Sequence, residues 1–168
     1  MASTDGGHGP PGSADPPRGE TGGTTATPTY GSAAYGFEQT FDGDGLYALR
    51  SAVAAHGSHL GLSEARVADL VLVAHELASN AVRHGRATSV SPARIELWRE
   101  DHTLLCRVSD GGPGIADPEA VGVAEVPLSA SSGRGLWIIR QVVDDLEIRT
   151  EPSGTVITAA LHVESTVS

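Results

Sequence analysis

The sequence predicts an α+β two-layer sandwich, a mixed, mostly antiparallel sheet with its helices gathered on one face. Three observations carry that prediction. A strongly amphipathic stretch of about twenty residues ends at Gly85. Two alternating segments follow it, with only Asp101 and His102 between them, and a second helix-then-hairpin pattern closes the chain. Helices with one apolar stripe need a surface to lie on, and strands joined by tight turns supply one that is antiparallel.

In chain order, residues 1–32 are dominated by Gly, Pro, Ser and Thr and hold almost nothing large to bury, which reads as a disordered tail. Residues 33–164 are left for one domain, long enough to form a core without staples. Ala34 to Phe41 reads as extended. The Asp42-Gly43-Asp44-Gly45 turn then leads into a short helix in which Leu46, Leu49, Ala52 and Val53 recur at helical spacing. The second helix has Ser63 as N-cap, Glu64 at its positive end and Gly85 as a stop. Its stripe is Val67, Leu70, Val71, Ala74, Leu77, Ala78, Ala81 and Val82.

Ala93 to Arg99 and Thr103 to Ser109 read as an antiparallel hairpin turning at Asp101-His102. Asp110 to Ser132, rich in Pro and Gly, reads as a long loop with at most one helical turn, and loops of that length in small domains are often functional. After Gly135, the spacing of Leu136, Ile139, Val142, Val143 and Leu146 predicts a third helix. A strand near Glu147 to Thr150, a Pro152-Ser153-Gly154 turn and a last strand from Thr155 to Val163 follow, with Ile157, Ala159, Leu161 and Val163 on one face.

Composition narrows the function classes. The chain has 168 residues and a formal charge of -10, with no cluster of Lys or Arg, so it lacks the basic footprint that a nucleic-acid partner requires. No apolar run approaches the roughly 20 residues of a membrane span, and no basic-then-apolar leader opens the chain, so a soluble, cytoplasmic protein with no membrane partner is expected. The single cysteine, Cys106, sits in an apolar strand and reads as core. The histidines show no metal-ligand spacing, and His162 reads as a surface residue.

Three features can carry chemistry. On the wheel of the second helix, Glu76 and Asn80 fall roughly 180° and 220° from Val67, off the core stripe and one turn apart. They form one polar spot flanked by Leu72 and Val73, although Glu and Asn on a helix are as often a plain solvated face. Next, Ser109-Asp110-Gly111-Gly112-Pro113-Gly114-Ile115 ends a strand in an acid followed by backbone-permissive residues. Gly112 and Gly114 would admit a flat ring at close range, or simply make a turn. Last, Ser131-Ser132-Gly133-Arg134-Gly135-Leu136 opens a helix with small residues, whose N–H groups can hold phosphate oxygens or serve as an ordinary helix entry. A P-loop, a zinc-protease helix and a dinucleotide fingerprint all fail on spacing: Gly-Lys-Ser/Thr is absent, Ser79 stands where the second histidine is needed, and no third glycine follows Gly112 and Gly114.

Taken together and in this order, Glu76-Leu77-Ala78-Ser79-Asn80-Ala81, Asp110-Gly111-Gly112-Pro113-Gly114 and Gly133-Arg134-Gly135-Leu136 resemble the N box and two glycine boxes of the GHKL ATPases. The resemblance covers about Phe37 to Val163, and the chain looks most like the bacterial anti-sigma-factor serine/threonine kinases. It implies the GHKL ATP-binding fold with ATP and Mg2+ as cofactors. By that similarity Asn80 ligates the magnesium and Glu76 is the general base on an attacking hydroxyl. Asp110 accepts the adenine amino group, and Thr155 supports that contact. Gly112 and Gly114 line the base pocket, Gly133 and Gly135 with Leu136 cradle phosphate, and Ser132 and Arg134 are lid contacts. For Arg83 and His84 a helix-capping role is expected.

A histidine kinase needs a phospho-accepting helical hairpin, and about thirty residues between tail and N box leave too little room for one, so a complete histidine kinase is not expected. The reading the resemblance implies is a serine/threonine kinase that phosphorylates an anti-sigma-factor antagonist and otherwise holds a sigma factor. The competing reading is an ATP-switched binding protein whose lid, Ile115 to Ser132, makes a partner surface without kinase turnover. A homodimer paired through the first strand is compatible with both.

Overall fold

The sheet begins where the sequence passes from glycine and serine to Phe-Glu-Gln-Thr-Phe, forming strand β1, Phe37–Phe41. The computed structural model of the chain describes residues 36–88, 90–127 and 133–164, so the expected tail, residues 1–32, lies outside the described residues. In the turn after β1 the Asp42 carboxylate accepts from the backbone N–H groups of Asp44 and Gly45. Helix α1, Leu46–His59, follows and is longer than the short helix expected, with 14 residues. It can continue through Gly57 because that glycine is buried against α2, Glu64–Arg83, where an added Cβ would meet Leu70 at 3.3 Å and Val67 at 3.4 Å. The N-cap of α2 is Ser63, whose hydroxyl accepts from the Arg66 N–H.

The hairpin consists of β2, Ala93–Glu100, and β3, Thr103–Asp110, with Asp101 in the left-handed region (φ 50°) that a two-residue turn between twisted strands requires. From Gly111 to Pro127 the chain is irregular, with one turn in which the Asp117 carboxylate and carbonyl accept from Ala120 and Val121. Helix α3 is Arg134–Val142, and β4, Asp145–Glu151, forms a hairpin with β5, Gly154–His162.

Leu146 is therefore not the last turn of α3. By Asp144 the backbone already donates to the Ala160 carbonyl, and Leu146 pairs with Ala159 in the sheet. Its spacing from Val142 is helical, but its alternation with Ile148 is what the sheet selects.

The strand order is β1-β2-β3-β5-β4, and every pairing is antiparallel. No parallel pair of the expected mixed sheet occurs among the described strands. The α1–α2 pair returns the chain to the end it left, so β2 enters antiparallel to β1. The two strands that point the same way across α3, β3 and β4, are separated by β5.

Ile95, Leu97, Leu104, Cys106, Val108, Ile157, Ala159 and Leu161 share the inner face and are buried beneath α2. On the outer face Arg107 lies over the Trp98 ring at 4.6 Å, and His162 is exposed as expected. Val73, expected beside the polar spot, is instead fully buried, because α2 is packed by α1 and α3 as well as by the sheet. No helix among the described residues is long and apolar enough to cross a membrane.

Candidate functional site

A cavity of about 530 Å³ opens between the C-terminal half of α2, the end of β3, the start of β5 and the N-terminus of α3. Asn80, Asp110, Gly114, Gly133, Gly135, Leu136 and Thr155, seven of the residues singled out from the sequence, line it. Glu76 stands beside it. A Cβ placed on Gly135 would come within 2.6 Å of a Glu76 carboxylate oxygen and 3.7 Å of Asn80 Oδ1, so glycine lets α3 lie close to the polar spot of α2 without displacing the end of the Glu76 side chain. The amide nitrogen of Asn80 is buried without a hydrogen-bond partner. A buried amide left unpaired in the wall of a cavity is an open donor for a ligand.

At the opposite end Asp110 is half-buried, and its carboxylate accepts from the Gly112 N–H at 2.8 Å and from the Thr155 backbone. A carboxylate has about four acceptor positions, so capacity remains for a donor in the cavity. Burial pushes this carboxyl above its ordinary value, and the Gly112 hydrogen bond, the nearby His84 and the Thr155 backbone pull back against it without cancelling it. Thr155 is itself buried and pairs with Asp110 across β3 and β5.

Gly112 does not face the cavity. It packs on the Gly85 backbone behind Asp110, while Gly114 (φ 84°) lines the cavity and rests on the Thr150 side chain. Thr150 also fastens the start of the loop, accepting from the Ile115 N–H and donating to its carbonyl, both at 3.1 Å. Arg134 reaches the far end of the loop, donating to the Pro127 carbonyl at 2.9 Å, and its Nε is buried without a partner. Between these ties, Arg140 donates to the Val121 carbonyl at 3.1 Å, and Val121 and Ile115 both line the cavity. Ser132, the other expected lid contact, lies outside the described residues.

His84 does act as the C-cap of α2, its N–H bonded to the Asn80 carbonyl, but His84 and Arg83 also line the cavity, as does Arg86, which sequence reasoning missed. Gly85 has a second role that the stop-signal reading overlooked. An added Cβ there would overlap the Asp110 carboxylate, so this glycine makes room for the acid. Among the described residues no group of three or more His, Cys, Asp or Glu could hold a metal ion. Asn80 with Glu76 nearby suits a magnesium that takes most of its ligands from phosphates and water.

The family model described as "Histidine kinase-like ATPase domain" matches residues 41–161. The signal transduction histidine-protein kinase AfsQ2 of Streptomyces coelicolor is 37% identical over 93 residues, which is 51% of this chain and 16% of that protein. The structure of the RsbU and RsbW domains of Rv1364c from Mycobacterium tuberculosis superposes with a TM-score of 0.58 at 20% identity, covering 76% of this chain and 32% of that one. That likeness is one of fold. The mycobacterial sensor histidine kinase MprB gives a TM-score of 0.48 at 23% identity over 57% of this chain and 71% of that chain.

Proposed function

Because the chain belongs to the histidine kinase-like ATPase domain family, and so carries an ATP-binding domain, we propose that its 33–164 region binds Mg-ATP and transfers the γ-phosphoryl group to a serine or threonine of a small partner protein. The observation that carries this reading is the meeting of Glu76, Asn80 and Gly135 at one end of a cavity whose other end holds Asp110 and Thr155. In it the adenine amino group donates to Asp110, backed by Thr155. The phosphates lie at the N-terminus of α3, by Gly133, Gly135 and Leu136, where free N–H groups and the helix dipole favour anions. Asn80 would hold a magnesium ion, which would supply neutralisation of phosphate charge. Arg134 and Ser132 close the site from the lid.

The Glu76 carboxylate takes the proton of the attacking hydroxyl as its oxygen bonds to the γ-phosphorus; the bond from that phosphorus to the β–γ bridging oxygen breaks, and ADP leaves. The partners that fit this reading are an anti-sigma-factor antagonist as phosphoryl acceptor and a sigma factor as the protein held, in a transcription-regulating switch. The Rv1364c structure, which includes an RsbW domain, shares the fold and is compatible with this partner class. A second reading has support from the lid. Ile115 and Val121 line the cavity while being tied to β4 and α3, so a ligand could reshape a partner surface without any transfer.

The test is a pull-down from the source cell's extract with ATP and with ADP, followed by mass spectrometry of the recovered proteins and transfer assays with Glu76→Ala. The kinase reading expects phosphoserine or phosphothreonine on a recovered protein, and a variant that still binds Mg-ATP but transfers nothing. Nucleotide-dependent capture with no phosphorylation would leave the switch reading in its place, and undiminished transfer by Glu76→Ala would remove the assigned base.

A further inference from the structure

Where α2 ends, the left-handed residue is not the glycine. Gly85 has no positive φ, whereas Arg86, the next residue, has φ 55°. Glycine adopts that conformation freely and arginine does not, so an arginine held there invites the question of what its side chain does. The turn is fixed from both sides. Gly85 N–H bonds to the Asn80 carbonyl at 3.3 Å and Ala87 N–H to the Ala81 carbonyl at 3.1 Å. Ala87 is buried in the core, so the chain must pass through position 86 in this shape.

Arg86 is exposed at the lining of the cavity, and no hydrogen bond or ion pair ties it to another described residue. Other arginines, such as Arg66, Arg94 and Arg149, are engaged with carboxylates, in a chain whose charge is -10. A cation left unpaired in a cavity wall of an acidic protein is available to a ligand.

We propose that Arg86 is a nucleotide-contact residue that packs its guanidinium plane on the purine, at the base end of the site; this rests on the nucleotide reading above. The location favours the base over the phosphates. Position 86 directly follows Gly85, whose Cα adjoins the Asp110 carboxylate, whereas Gly133 and Gly135 stand at the other end beside Asn80 and Glu76. A guanidinium is planar, weakly hydrated and suited to stacking on an aromatic face, which a lysine ammonium cannot do in the same way.

Calorimetric titration of the full chain with ATP, ADP and AMP, for wild type, Arg86→Gly and Arg86→Lys, tests this. Arg86→Gly relieves the backbone, so its thermal midpoint without nucleotide should rise, while its affinity falls by about 3- to 10-fold. The loss should be the same for all three nucleotides, and Arg86→Lys should share it. A loss that shrinks from ATP to AMP would reassign Arg86 to the phosphates, and unchanged affinity in Arg86→Gly would leave it no ligand role; either result overturns the proposal. If wild type binds none of the three, the nucleotide reading itself fails, and this inference with it.

Discussion

The carboxylate of Asp110 occupies the space that a Cβ on Gly85 would take. The end of β3 and the end of α2 thus interlock at one point, and the acid's position depends on a residue 25 places earlier in the chain. Gly85→Ala should displace Asp110 and destabilise the fold by about 1–3 kcal/mol, the range of overpacking changes. Thermal denaturation reads the second effect and nucleotide titration the first. A variant with wild-type stability and wild-type ATP affinity would show that the interlock has no consequence.

Gly135→Ala probes the other end. Its Cβ would press on the Glu76 carboxylate, so transfer to a partner hydroxyl should fall by about a hundredfold or more, the scale of a misplaced general base. ATP affinity should suffer less. Single-turnover transfer measured beside equilibrium binding separates the two, and an equal loss in both would point to a collapsed phosphate cradle instead.

The raised carboxyl of Asp110 gives a pH dependence with a definite sign. The folded protein holds this proton more tightly than the unfolded chain, so the residue's contribution to stability is complete below its ordinary value of 3.8 and is lost as pH rises through the higher native value. Asp110→Asn does not titrate there. Denaturant unfolding of both proteins over a pH series should show the stability difference moving in the variant's favour as pH rises, and a flat or reversed difference would contradict the assignment.

Cys106 is fully buried in β3, and burial pushes its thiol from 9.0 up to about 12. Since the thiolate is the nucleophile, the native protein should resist alkylation at pH 8 and react only when unfolded. Mass spectrometry with and without denaturant checks this, and rapid labelling of the native protein would show that β3 opens readily.

Much of the fold was legible because local signals and tertiary need agree. Ser63, the apolar run of α2 and the two-residue Asp101-His102 turn each have one good solution, and they find it. Leu146 misled because one residue can satisfy two periods, and the choice between them is made by Ala159 on a strand not yet reached in the sequence. Burial of Val73 was hidden for a related reason: a helical wheel shows one stripe, whereas α2 is packed on several sides.

In the site, Glu76, Asn80 and Asp110 were legible as residue types that need a reason to be where they are. The second role of Gly85 and the cavity position of Arg86 depend on which atoms approach from β3, and a spacing argument along α2 contains no such information. A positive φ at arginine leaves no mark in the sequence at all.

Titration of Mg-ATP into wild type and Asp110→Asn measures most directly whether the cavity is a nucleotide site read by Asp110. Wild type should bind with one-to-one stoichiometry, and the variant should lose about tenfold or more, since an adenine amino group would then face an amide in place of a charged acceptor. Equal affinities in the two proteins, or no binding by wild type, would contradict it.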